Sequence, residues 1–262
     1  MASRLQGMKI VLLDLDGTIH LGGKPIPGAV DFIQRCHESE VKTIFLSNNS
    51  SKSVNEYVTK LNSMGINANA DDILLSTHDC IRWLKMKKWT NIYCLGTKGM
   101  KEMMVENGIK CMEDGVDCVV LGYDTELTYE KLSKATSLIH KNIPLVATHP
   151  DIVCPSPDGG LPDTGAYMAM FEATTGVRPV HICGKPQPGM IHHKIEALGL
   201  EAQRCAMVGD RLYTDMAMAT RAGTKGILVL SGEATMADVE ALEEGAEQQP
   251  SLIVGSVDEL LR

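Results

Sequence analysis

No stretch of this 262-residue chain approaches the roughly 18 continuous apolar residues that a membrane-spanning helix needs. The leading residues MASRLQG run directly into an apolar strand pattern without a signal-peptide core or cleavage site, so a cytoplasmic location is expected. Basic charge is also scarce: 25 Lys and Arg face 33 Asp and Glu, for a net charge of −8. A nucleic-acid protein needs a basic stripe to track phosphates, so neither nucleic acid nor membrane is an expected partner. There is no C-x-x-C pair among the eight cysteines, which are scattered and mostly set in apolar runs. Free cysteine packs as a small hydrophobe, and buried thiols are expected rather than metal ligands or bridges. Neither G-x-x-x-x-G-K-[ST] nor G-x-G-x-x-G occurs, so a nucleotide cofactor is not indicated. Internal repeats and low-complexity segments are absent too.

What remains is an ordinary globular composition, 44% apolar and 22% charged. Apolar runs alternate with longer amphipathic stretches, the βαβ signature of parallel sheets with covering helices. Strands are predicted at Lys9 to Asp14, Lys42 to Leu46, Arg204 to Val208, Gly226 to Leu230 and Ser251 to Val254. Helices are predicted over Pro27 to Glu38, Lys52 to Met64, Pro186 to Ala197 and Asp215 to Ala222, with Pro27 and Pro186 suited to first helical turns. The middle of the chain carries its own strands, Asn91 to Leu95, Asp117 to Gly122 and Leu145 to Thr148. Its helices fall near Lys98 to Asn107, Tyr129 to His140 and Thr164 to Thr175. The expected fold is α/β: a Rossmann-like three-layer parallel-sheet core of residues 1–77 and 181–262, with an inserted α/β domain over residues 78–180. Glu240 to Gln249 reads as a solvated acidic loop.

The most informative stretch is Met8 to Ile19, MKIVLLDLDGTI. An apolar run of this kind is a buried parallel strand, and it ends in two carboxylates. Asp14 and Asp16 are two residues apart, so extended geometry projects both to one side. Gly17 allows a sharp turn, which leaves the acids at the strand's carboxyl end, where open α/β sheets place ligands. One can serve as nucleophile and the other as general acid and base, with a divalent cation relieving their repulsion. The competing reading is a solvated strand-end turn with capping aspartates.

DLDGT after an apolar strand resembles the first motif of the haloacid-dehalogenase superfamily of phosphohydrolases, and three further motifs match in order. A strand from Val41 to Leu46 ends in Ser47-Asn48-Asn49-Ser50, Gly184-Lys185-Pro186 opens a helix, and a strand over Cys205 to Val208 ends in Gly209-Asp210 with Asp215 five residues on. The wording LSNNS, GKPQPGM and VGDRLYTDMAMATRAG resembles the NagD-like subclass IIA branch. The resemblance covers nearly the whole chain.

It implies a magnesium-dependent phosphatase of small phosphomonoesters, such as a sugar phosphate or nucleotide, acting on a phosphorylated metabolite. By the same resemblance Asp14 attacks phosphorus to form an aspartyl-phosphate, while Asp16 protonates the leaving oxygen and reaches the metal through its backbone carbonyl. Lys185 is the cation that stabilises the transferring phosphoryl. A lysine at a helix start opposes the helix dipole, which a carboxylate or phosphate must offset. Alone it would read as a solvated lysine. Ser47, Asn48 and Asn49 are the phosphate-binding turn, where a hydroxyl and backbone N–H groups meet an anion, although an N-cap role fits the same residues. The metal set is Asp14, Asp16, Asp210 and Asp215, with Asp215 alternatively an N-cap. Magnesium takes one or two carboxylates plus waters and substrate oxygens.

The segment Ala147 to Gly165, ATHPDIVCPSPDGGLPDTG, resembles the family's substrate-specificity loop, which places His149, Asp151 and Asp163 toward the leaving group. His149 stands where the family often has asparagine, and Asp163 where it often has glycine. His192, His193 and Glu196 lack zinc-protease order and read as a solvated helix face. A homodimer is compatible with the sequence. The alternative function is a non-catalytic phosphometabolite-binding protein on the same fold, which would predict at least one decayed motif.

Overall fold

In the computed structural model, residues 4–156 and 159–261 are described. The chain divides into two compact units. The first comprises the described part of Met1–Ser47, Val58–Leu74 and Lys185–Arg262; the second comprises Asn48–Tyr57 and Leu75–Gly184.

The first unit is built on a sheet whose strands lie in the order Leu252–Val254, Lys225–Val229, Cys205–Gly209, Ile10–Asp14, Lys42–Ser47 and Ile73–Leu75. Ile10–Asp14 is central and pairs in parallel with both neighbours, Ile10 opposite Cys205 on one side and Asp14 opposite Leu46 on the other. Every residue of IVLLD is buried, as a strand covered on both faces requires. After Ile10–Asp14 the chain builds outward on one side and returns to build on the other, so the order reverses between Ile10–Asp14 and Cys205–Gly209. Open α/β sheets bind ligands at such a reversal, outside the strands' carboxyl ends. Ile10, Leu12, Ile44, Leu46 and Met207 pack with Met190, Ile191 and Met218 from two helices. Each such side chain contributes about 1.5–3 kcal/mol when fully buried, which makes the carboxyl edge a rigid platform.

The expected strands of this unit are present, with ends shifted by one residue at most. The helix starts differ more. The first helix is Ala29–Glu38, not from Pro27, because Gly28 at φ 83° is its N-cap and cannot be helical. Its buried residues Ala29, Phe32, Ile33 and Cys36 follow the helical repeat. The helix after Lys185 is Gly189–Ala197. Gln187 precedes Pro188 and is therefore disfavoured from the α region, so Pro186 lies outside the first turn. The helix expected from Asp215 begins earlier, as a π-turn over Leu212–Met216 that runs into Ala217–Ala222.

The second unit has a parallel sheet in the order His181–Ile182, Leu145–Ala147, Cys118–Leu121, Asn91–Leu95 and Lys110–Cys111. Its core joins Leu95, Val119, Leu121 and Leu145 to Ala135, Leu138 and Phe171 from the helices Tyr129–His140 and Thr164–Thr175. The helix Ser76–Lys87 was not anticipated; Cys80, Ile81 and Leu84 form its buried stripe. Segment Asn48–Tyr57, expected in the core of residues 1–77, belongs here because its polar groups bond within this unit. Ser50 Oγ accepts from Tyr123 N–H at 2.8 Å and contacts Thr148 Oγ1 at 3.0 Å, and Thr97 Oγ1 donates to the Ser51 carbonyl at 2.7 Å. All eight cysteines are free thiols, six of them buried. No helix among the described residues is long and apolar enough to cross a membrane.

Candidate active site

Asp14 ends the central strand and is buried, and one of its carboxylate oxygens forms an ion pair with Lys185 Nζ. The same ammonium is 2.7 Å from Asp215 Oδ1, and the Lys185 side chain is only 5% exposed. A buried ammonium persists only when paired, and two carboxylates meet that condition. Burial acts against its charge, but Asp14 and Asp215 outweigh it and hold Lys185 above the usual lysine range.

Asp210 follows the strand Cys205–Gly209 and is 2% exposed. Its Oδ2 accepts from the Glu233 N–H at 2.7 Å, whereas Oδ1 is buried with no hydrogen-bond donor. Burial, and next the charge of Asp215, pushes the Asp210 carboxyl up to about 6. Asp14 is raised well above the carboxylate range, first by burial, with Lys185 opposing and Asp215 and Asp210 adding. Gly17, at φ 87°, could not be another residue: a Cβ there would lie 2.3 Å from Asp210 Oδ2.

Three carboxylates, Asp14, Asp210 and Asp215, offer ligand atoms that all lie within 4.8 Å of one another. Buried acids crowded together with one oxygen unpartnered need a cation beyond the single lysine. An all-oxygen donor set fits a hard divalent ion rather than zinc or copper. Asp215 is not an N-cap: it lies inside the π-turn, and its Oδ2 reaches back to accept from Arg211 N–H at 3.1 Å.

Asp16 lies beyond the strand end, and its carboxylate stands apart from this cluster, 55% exposed. The strict alternation that would face it into the same volume as Asp14 ends with the strand at Asp14. Its Oδ1 is 3.2 Å from Nδ1 of the fully buried His20, which no motif in the sequence marks. The only available signal was a histidine four residues beyond an acid across a glycine turn.

Ser47 is buried at the end of Lys42–Ser47, one residue past the Leu46 that pairs with Asp14. Asn48 and Asn49 fall in the second unit. There Asn48 Nδ2 donates to Asp151 at 3.0 and 3.2 Å, and Asn49 Oδ1 accepts from Ser51 N–H at 2.9 Å. Ser47 thus belongs to the first unit with the acids, and Asn48 and Asn49 belong to the second. His149 is fully buried, its Nε2 3.0 Å from Thr164 Oγ1 and 3.5 Å from Asp163 Oδ1, with Nδ1 3.7 Å from Asp151. Asp163 caps the helix Thr164–Thr175. In that position His149 and Asp163 brace the loop from inside. Pro157 and Asp158 of the loop lie outside the described residues. His192, His193 and Glu196 are exposed on their helix, as expected.

A family model described as haloacid dehalogenase-like hydrolase matches residues 11–110, and one described as HAD-hydrolase-like matches residues 182–260. An acid sugar phosphatase of Staphylococcus saprophyticus is 34% identical over 238 residues, 90% of this chain and 92% of that protein. The 4-nitrophenylphosphatase of Thermotoga maritima superposes with a TM-score of 0.93 at 39% identity, covering 99% of this chain and 98% of that one. A glycerol phosphate phosphatase of Mycobacterium tuberculosis, solved with calcium, gives 0.90 at 28% identity over 100% of this chain and 77% of its own. With two acid-bearing strand ends flanking the sheet reversal and a lysine bridging Asp14 to Asp215, the chain belongs to the haloacid dehalogenase-like hydrolases and, among them, to the NagD-like phosphatases.

Proposed function

We propose that the protein is a magnesium-dependent phosphatase of small phosphomonoesters, sugar phosphates among them, that works through an aspartyl-phosphate on Asp14. The observation that carries this reading is Asp14 itself: a buried carboxylate at a sheet reversal, with one oxygen held by Lys185 and with Asp210 and Asp215 alongside. Phosphoryl transfer asks a protein mainly to align the reacting atoms and to neutralise charge on the transferring oxygens.

Asp14 supplies the attacking oxygen. Lys185 orients that carboxylate and offsets charge on the phosphoryl group, and Ser47 offers a hydroxyl to a phosphate oxygen. Asp16, partly exposed and outside the acidic cluster, hands a proton to the departing oxygen and later takes one from the hydrolytic water. Asp14, Asp210 and Asp215 would hold magnesium, with the Asp16 carbonyl as a further ligand; the bound ion supplies charge neutralisation at the phosphoryl group and keeps Asp14 ionised. The names of the relatives support small esters: a sugar phosphatase, a nitrophenyl phosphatase and a glycerol phosphate phosphatase.

The test is phosphate release from p-nitrophenyl phosphate and from a panel of sugar, glycerol and nucleoside monophosphates, with magnesium and with chelator. Turnover should require the metal, and Asp14→Asn should abolish it while the protein stays folded. Rates unchanged by excess chelator would remove the metal from the reading. Retained turnover in Asp14→Asn would remove the nucleophile. No hydrolysis of any ester by the folded wild-type protein would favour a phosphometabolite-binding role.

A further inference from the structure

Two of the three clustered carboxylates are gripped from behind by backbone N–H groups, and both grips trace to Arg211. Its own N–H donates to Asp215 Oδ2 at 3.1 Å. Its guanidinium, 17% exposed, forms an ion pair with Glu233 at 2.8 Å. Glu233 in turn donates its backbone N–H to Asp210 Oδ2 at 2.7 Å, and the next residue, Ala234, donates to the Asp210 carbonyl at 3.0 Å. The same segment reaches the first acid loop, where Ser231 Oγ donates to the Gly17 carbonyl at 2.7 Å. Glycine is obligatory at its centre: a Cβ on Gly232 would lie 2.0 Å from Asp210 Oδ2. Residues 231–234 therefore form a clasp shaped to the outer oxygen of Asp210. That clasp leaves Oδ1 buried and without a hydrogen-bond donor.

We propose that the Arg211–Glu233 ion pair is a latch that keeps this clasp closed, so that Arg211 and Glu233 are positioning residues for the divalent cation without touching it. The proposal rests on the cation reading above. A half-exposed ion pair adds little to global stability. Its effect here is local, because the glutamate side chain fixes the same residue whose amide orients a metal-binding carboxylate. Groups that orient a metal's ligands are worth about 10–100-fold in affinity when removed.

The experiment measures manganese binding to the metal-free protein by calorimetry and by electron paramagnetic resonance, with circular dichroism to confirm folding. Wild type, Glu233→Gln, Arg211→Gln and the double variant are compared. A latch predicts that each single change weakens binding by about 10-fold, and that the double variant is no weaker than the singles, since either change opens the same clasp. Turnover of the single variants should recover in large part at high cation concentration. A purely electrostatic role predicts opposite signs: Arg211→Gln would tighten binding by deleting a positive charge near the acids, and Glu233→Gln would weaken it. Opposite signs, additive losses or wild-type affinity in Glu233→Gln each overturn the latch. Absence of manganese binding to the wild-type protein overturns instead the cation reading beneath it.

Discussion

Replacing Lys185 with methionine keeps most of the side-chain stem and deletes the charge. In the native site that ammonium is 5% exposed and lies on Asp14 and, at 2.7 Å, on Asp215. Without it three carboxylates with ligand atoms within 4.8 Å share a buried volume and have no lysine among them. Breaking a buried ion pair from one side costs about 3–5 kcal/mol. At about 3 °C per kcal/mol, the first unit's unfolding midpoint should fall by about 10–15 °C near pH 8. The sign with pH follows from Asp14 and Asp210, whose carboxyls are already lifted by burial. Losing the lysine lifts Asp14 further, so the folded variant binds more protons than its unfolded chain. Stability from such groups is complete below the unfolded carboxyl value near pH 4 and is lost as pH rises through the folded values. The deficit relative to wild type should therefore be small at about pH 5 and largest at about pH 8. Thermal unfolding followed by circular dichroism in chelator across that range measures it, and millimolar magnesium should restore part of the loss by binding the folded form. A deficit independent of pH, or a variant as stable as wild type at about pH 8, would refute the reasoning.

Asp16→Asn should slow hydrolysis of alkyl phosphates by about 10²–10⁴-fold. The loss with p-nitrophenyl phosphate, whose leaving group needs no proton, should be much smaller, and equal losses would deny Asp16 the acid role. Because Asp210 is pushed up to about 6 before a cation binds, the cation concentration for half-maximal activity should rise as pH falls through that value. A requirement that is flat from about pH 5 to 8 would exclude such proton competition. His149→Ala leaves Asp163 buried without its ring partner, and burial already raises that carboxyl against the lowering effect of His149. The variant should lose about 1–3 kcal/mol of stability in the second unit. An unchanged midpoint with a selective loss on one ester would show instead that the ring contacts the leaving group.

The central strand, the acids at its end and the alternation of strands and helices were legible from residue order, because local forces set them. A run such as IVLLD can be satisfied only by burial on both faces, and its ladder partners lie in other runs of the same kind. Asp14 and Asp210 could be singled out as acids at the ends of apolar runs, whereas Lys185 and Asp215 stood out only through the motifs that the chain shares with its family. Their meeting could not be read from spacing, since Lys185 lies 171 residues from Asp14. Only the sheet order, which sets Cys205–Gly209 beside Ile10–Asp14, brings these charges within reach and removes the water that would otherwise screen them. The same holds for what was missed. Glu233, in a loop between an expected strand and an acidic stretch, looks like any solvated glutamate until the fold aims its backbone N–H at Asp210. His149 reads as a polar loop residue until tertiary packing encloses it between two aspartates. Periodicity and turn chemistry are properties of neighbours along the chain and could be read there; burial, charge coupling and the unpaired oxygen of Asp210 depend on groups distant in sequence, so only the tertiary structure decided them.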